Sequence, residues 1–94
     1  IDVKTGGAGN DSFNASAVNS LNTSDVITGG AGSDVLTTTL NGATVRPTLS
    51  SVEHVVVTSV TAASTLNLTN SADTTTITNS QSNADLSITL PILV

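Results

Sequence analysis

Thr5-Gly6-Gly7-Ala8-Gly9-Asn10-Asp11-Ser12-Phe13 and, 23 residues further on, Thr28-Gly29-Gly30-Ala31-Gly32-Ser33-Asp34-Val35-Leu36 are one nonapeptide written twice. Both read T-G-G-A-G-x-D-x-(large apolar), with six identities at fixed offsets in nine positions. Neighbouring glycines reach backbone angles closed to other residues, so each G-G-A-G run is a curled loop. The acids keep a related beat. Asp2 and Asp11 are nine apart, as are Asp25 and Asp34, and two residues after them stand Lys4, Phe13, Ile27 and Leu36. A nine-residue cycle of turn plus short strand is a solenoid pattern, in which no single turn can bury its own apolar face. Only the step from Asp11 to Asp25 breaks the beat, which predicts an external loop of about five extra residues near residues 15–22.

Working outward, residues 1–37 read as a roll of these units and residues 38–50 as an irregular connection. Asn41-Gly42, between Thr/Leu and Thr/Val runs, is a tight-turn signal that suits a hairpin. Pro47 marks the end of that segment. From residue 51 to residue 94 the pairs Val55 and Val57, Leu66 and Leu68, and Leu86 and Ile88 alternate with polar residues, with Ile77 between the last two. Stacked short strands explain this, although an antiparallel sandwich would show the same alternation.

Composition agrees with an all-β chain. Of 94 residues, Phe13 is the only aromatic, and the apolar set is almost wholly Val, Leu, Ile and Ala. Roughly two-fifths of the chain is Thr, Ser or Asn, which favours strands and polar turns over helices. There is no cysteine, so no disulfide staples a chain this small, and a bound metal is the obvious substitute. The formal net charge is −5, from seven acids against Lys4 and Arg46. That argues against nucleic acid, whose phosphates need clustered basic residues. No apolar run approaches the ~20 residues that cross a bilayer as a helix. The first residues lack the basic flank and apolar run of a signal peptide, and the methionine-free chain reads as a piece of a longer polypeptide.

The glycine–aspartate loops point to Ca²⁺. A G-G-x-G curl turns successive carbonyls to one side, and the aspartate adds a carboxylate. Such hard oxygens suit calcium, which takes about 6–8 of them. One loop cannot supply that many, but two loops on adjacent coils can. The candidate ligands are therefore Gly6, Gly7, Ala8, Gly9 and Asp11 against Gly29, Gly30, Ala31, Gly32 and Asp34. Taking 23 as two nine-residue half-coils plus the external loop places these two loops on one edge. The same geometry sets Asp2 beside Asp25 on the opposite edge, a weaker site because Asn22 and Ser24 stand where glycines are expected.

The two nonapeptides resemble the G-G-x-G-x-D-x-(apolar)-x repeat of the repeats-in-toxin family. The order of segments, ending in Ser51-Val52-Glu53-His54-Val55-Val56-Val57-Thr58 and a Thr/Leu/Asn-rich stretch, looks like the calcium-dependent S-layer proteins of the Caulobacter type. This resemblance implies a right-handed parallel β-roll or β-helix solenoid with calcium in its Gly-Asp turns. It also implies type I secretion to the cell surface and self-association into a lattice or filament. Two alternatives belong to the same family: a stalk or binding segment of an adhesin, and a secretion and folding appendage of an exoenzyme. Having only two full repeats, with an insertion between them, is a departure from the family pattern.

No catalytic constellation is legible. His54 is the only histidine, without a two-histidine metal motif, and any serine-rich chain offers triad partners by chance. Glu53, flanked by valines, reads as a strand end at the surface, with metal ligand and buried acceptor as the alternatives.

Overall fold

The computed structural model describes residues 3–91. Ten strands follow one another: β1 (Val3–Thr5), β2 (Ser12–Ala15), β3 (Val26–Thr28), β4 (Val35–Leu40), β5 (Thr44–Val45), β6 (Thr48–Ser50), β7 (His54–Ser59), β8 (Ser64–Asn67), β9 (Thr76–Asn79) and β10 (Leu86–Thr89). They form three sheets, ordered β1-β3-β6, β2-β4-β7-β9 and β10-β8-β5, and every pairing is parallel. The chain is a parallel β-solenoid, with no helix among the described residues. The four-stranded sheet counts its coils: β1–β2, β3–β5, β6–β8 and β9–β10.

The register gives the true repeat length. Val3 faces Val26 and Ser12 faces Val35, both 23 residues apart; Val26 faces Thr48 and His54 faces Thr76, both 22 apart. One coil is therefore 19–23 residues around three sides, shortest where Val35 faces His54, and is not two nine-residue half-coils. The 23-residue spacing of the nonapeptides is a whole turn and needs no insertion. Residues 16–25 are accordingly not an external loop. They form the third side of coil 1, where Leu21 is buried and Asn19 N–H donates to Thr39 O at 2.9 Å. Likewise the Asn41-Gly42 turn closes no hairpin, because β4 and β5 belong to different sheets. It is a corner, bridged to coil 1 by Asn41 N–H donating to Asn19 Oδ1 at 2.9 Å.

The core follows from period-two alternation on each side. In β4 and β7 every second residue is buried. The parallel register then stacks like side chains along the axis: Phe13 on Leu36 on Val55 on Ile77, and Val45 on Leu66 on Ile88. Leu36, Leu40, Val52, Val55, Val57 and Leu66 are fully buried. Branched aliphatics suit so narrow an interior, because each coil offers room for about one side chain per column. Polar residues interrupt this at Ser59, Ser64 and Thr38; the two serines are hydrogen-bonded, but Thr38, between Ala15 and Val57, is fully buried and its hydroxyl has no hydrogen-bond partner.

Leu36→Ala is expected to cost about 2–5 kcal/mol through the cavity it leaves. Leu90→Ala, at an exposed site, should stay within about 0.5 kcal/mol. Thr38→Val keeps the shape and removes the orphan hydroxyl, and should leave stability equal or raise it by about 1 kcal/mol. Denaturant midpoints of the three variants against the parent check all three signs.

Candidate metal centre

The two nonapeptide loops link the first sheet to the second, residues 6–11 between β1 and β2 and residues 29–34 between β3 and β4. They lie directly one over the other. Gly6 N–H donates to Thr28 O at 2.8 Å, Asp11 N–H to Asp34 Oδ1 at 2.7 Å, Ser33 N–H to Asn10 Oδ1 at 2.8 Å and Val35 N–H to Asp11 O at 2.9 Å. The glycines are what lets the two backbones meet. Gly32 sits at φ 91°, and a Cβ there would run into Gly9 O; a Cβ on Gly30 would lie 2.6 Å from Gly7 O. The carbonyl oxygens of Gly7 and Gly9 thus face the second loop. Ala8 and Ala31 are exposed at the loop tips.

The two aspartates differ in environment. Asp11 is half-buried, and its Oδ2 accepts the N–H of Gly7 in its own loop at 2.9 Å. Asp34 is fully buried. Its Oδ1 serves the coil before, while its Oδ2 has no hydrogen-bond partner. A buried carboxylate oxygen without a donor is costly. Carboxylates on successive coils also stand only about 5 Å apart along the axis, where like charges repel by on the order of 3 kcal/mol at a typical effective dielectric.

Glu53 belongs to the same column. Its Oε1 accepts the N–H of Asp34 at 2.8 Å, repeating one coil on what Asp34 does for Asp11. The acids form a ladder, Asp11, Asp34, Glu53, in which each carboxylate caps the amide of the acid on the coil before. Glu53, half-buried just before β7, is therefore an acceptor in this column rather than simply a strand end at the surface. Its connection is three residues shorter than the loop above, since Thr28 faces Ser50 but Val35 faces His54. The longer Glu side chain reaches where an Asp would fall short. The signal was in the sequence: Glu53 stands two residues before an inward apolar residue, Val55, as Asp11 and Asp34 stand before Phe13 and Leu36.

The second predicted pair fares differently. Asp2 lies outside the described residues. Asp25 is buried at the other end of β3 from the paired loops; its Oδ2 accepts Asn22 N–H at 2.8 Å and its carbonyl accepts Thr48 N–H at 3.0 Å. His54 Nε2 lies 3.0 Å from Ser33 Oγ, tying coil 3 to the tip of the second loop. Among the described residues no three His, Cys, Asp or Glu side chains converge on a point. The oxygens at the stacked loops are backbone carbonyls plus carboxylates, a donor set that fits a hard cation such as Ca²⁺ rather than zinc. Two cavities lie away from the ladder, at the two ends of the core: about 310 Å³ beside Lys4, Phe13 and Leu21, and about 530 Å³ beside Leu68, Leu90 and Pro91.

Gly32→Ala is expected to destabilise the stacked loops by about 1–3 kcal/mol, from left-handed strain plus the clash with Gly9 O. Gly9→Ala, at φ 98° but with open space around a Cβ, should cost only the strain, about 1 kcal/mol. Thermal melts of the two variants in calcium-containing buffer separate clash from strain.

Comparison with known protein families, with curated proteins and with solved structures gave no match.

Proposed function

We propose that this chain is a structural, calcium-binding segment of a secreted bacterial surface protein of the repeats-in-toxin kind, S-layer-like in its use, and not an enzyme. The observation that carries the reading is the direct stacking of the two G-G-A-G-x-D loops, with carbonyls and the Asp11 and Asp34 carboxylates brought together across one coil step. Residues of loop 6–11, namely Gly6, Gly7, Gly9 and Asp11, and of loop 29–34, namely Gly29, Gly30, Gly32 and Asp34, would hold the ion. Calcium bound there neutralises the stacked carboxylates and fastens coil 1 to coil 2.

Coil 1 is one of two end coils with few buried apolar residues, and it is the one that carries the stacked loops. β1 is exposed along its whole length and β2 is at best half-buried, whereas β4 and β7 alternate between half-buried and buried. Calcium therefore acts as a folding cofactor for the first coil, on a solenoid whose second and third coils have an aliphatic core of their own. Parallel stacking also supports assembly. β1, β2, β9 and β10 are edge strands of their sheets among the described residues, and an edge of a parallel coil accepts another coil, from the same polypeptide or from a second copy.

Far-UV circular dichroism with thermal melting, in chelator and across a calcium titration, tests this. At calcium 100 times Kd the folded state gains about 2.7 kcal/mol, a rise in Tm of about 10–20 °C for a domain of this size. Asp34→Ala should abolish most of that rise, and Asp11→Ala a smaller part. Identical spectra and melting with and without calcium would remove the basis for the proposal.

A further inference from the structure

The paired loops repeat, one coil on, in a place without their sequence. At the first step, a Cβ on Gly6 would meet Asp11 Oδ2 and lie 2.5 Å from Gly29 O. At the second step, a Cβ on Gly29 would lie 2.5 Å from Asp34 Oδ2 and would run into Ser51 O. The same three elements recur: a bare Cα, the Oδ2 of the loop's own aspartate, and a carbonyl from the coil below. A fourth recurs as well, since Asp34 Oδ1 caps Asp11 N–H and Glu53 Oε1 caps Asp34 N–H. One feature differs. Asp11 Oδ2 has Gly7 N–H as a donor, whereas Asp34 Oδ2 is fully buried and has none.

The Ser51–Glu53 turn is built to hold its carbonyl there. Ser51 is a non-glycine residue at φ 55°, an uncommon conformation. It is held from the next coil, where Asp73 Oδ2 accepts Ser51 N–H at 3.1 Å. Glu53 is held likewise, its own carbonyl accepting Thr75 N–H at 2.9 Å and Thr76 N–H at 3.0 Å.

We infer that a second Ca²⁺ seat lies between the 29–34 loop and the Ser51–Glu53 turn, formed by Asp34 Oδ2, the Ser51 carbonyl and the Glu53 carboxylate, with water completing the shell. It rests on the calcium reading above and extends it to a turn that carries no glycine–aspartate motif. A cation supplies the orphan Oδ2 with its missing partner and neutralises the Asp34–Glu53 step as the first ion neutralises the Asp11–Asp34 step. The second ion fastens the calcium-ordered coils to the aliphatic solenoid that follows.

Glu53 is the only glutamate in the chain, so a Glu-selective ¹³C label reports on it alone. On titrating the intact chain with calcium chloride, equilibrium dialysis should count two ions, and the Glu53 ¹³Cδ resonance should shift with one of them. Glu53→Gln keeps an acceptor for Asp34 N–H but loses the charge. It should bind the second ion at least tenfold more weakly and retain the first, whereas Asp11→Asn should do the reverse. One ion on the intact chain with an unmoved Glu53 resonance would overturn the second seat and leave the first reading standing. The same result together with a higher Tm for Asp34→Asn in chelator would identify Asp34 as a neutral acid donating to Ser51 O, and would also overturn the second seat. No bound calcium at all would overturn both readings.

Discussion

The structure depends on one repeated contact: the amide of an acidic residue at a coil corner, capped by the carboxylate of the acid on the coil below. At 2.7 Å between Asp11 N and Asp34 Oδ1, and 2.8 Å between Asp34 N and Glu53 Oε1, these are charge-assisted bonds. They fix the phase of three successive coils at the corner where the first sheet passes into the second. The contact also creates a difficulty. It lines up carboxylates along the solenoid axis and leaves one oxygen of Asp34 buried without a donor. A bound cation would relieve both problems, by neutralising the column and giving the orphan oxygen a partner, which is why the proposed calcium falls at this ladder.

That corner divides the molecule by the source of its stability. On the side of coils 2 and 3, Leu36, Leu40, Leu49, Val52, Val55, Val57 and Leu66 make a continuous aliphatic interior. Coil 1 contributes little to it beyond Leu21, with Phe13 and Ala15 only partly buried. Solenoid stability is roughly a sum of coil and interface terms, so an ion at an interface with few apolar contacts is expected to affect it strongly. On the calcium reading proposed above, the first coil is the part expected to loosen when calcium is removed.

Much of this was legible in the sequence, for a definite reason. The side chains that repeat in T-G-G-A-G-x-D-x-(apolar) each have a separate physical task at one corner, so the motif survives as a string. The stacking of the two loops and the short alternating strands after residue 51 could be derived from the sequence, but the direction of those strands could not, because an antiparallel sandwich shows the same alternation. Nor could the coil length. Nine-residue spacing between acids is also what a three-sided coil gives when a three-residue strand and a six-residue loop follow each other on one side. Leu21, flanked by Ser20 and Asn22, is the residue that contradicts an external loop, and one leucine between polar neighbours is a faint signal. Glu53 reads first as a strand end because a shorter turn and a longer side chain cancel in space while changing both the spacing and the residue type in the string.

Amide hydrogen exchange at Asp11 and Asp34, followed by nuclear magnetic resonance with and without calcium, measures the ladder itself. Both amides should exchange slowly with calcium and fast in chelator, while amides of Val55 and Val57 stay protected in both. Equal protection of Asp11 and Asp34 in the two buffers would contradict the central claim that a cation holds these coils together.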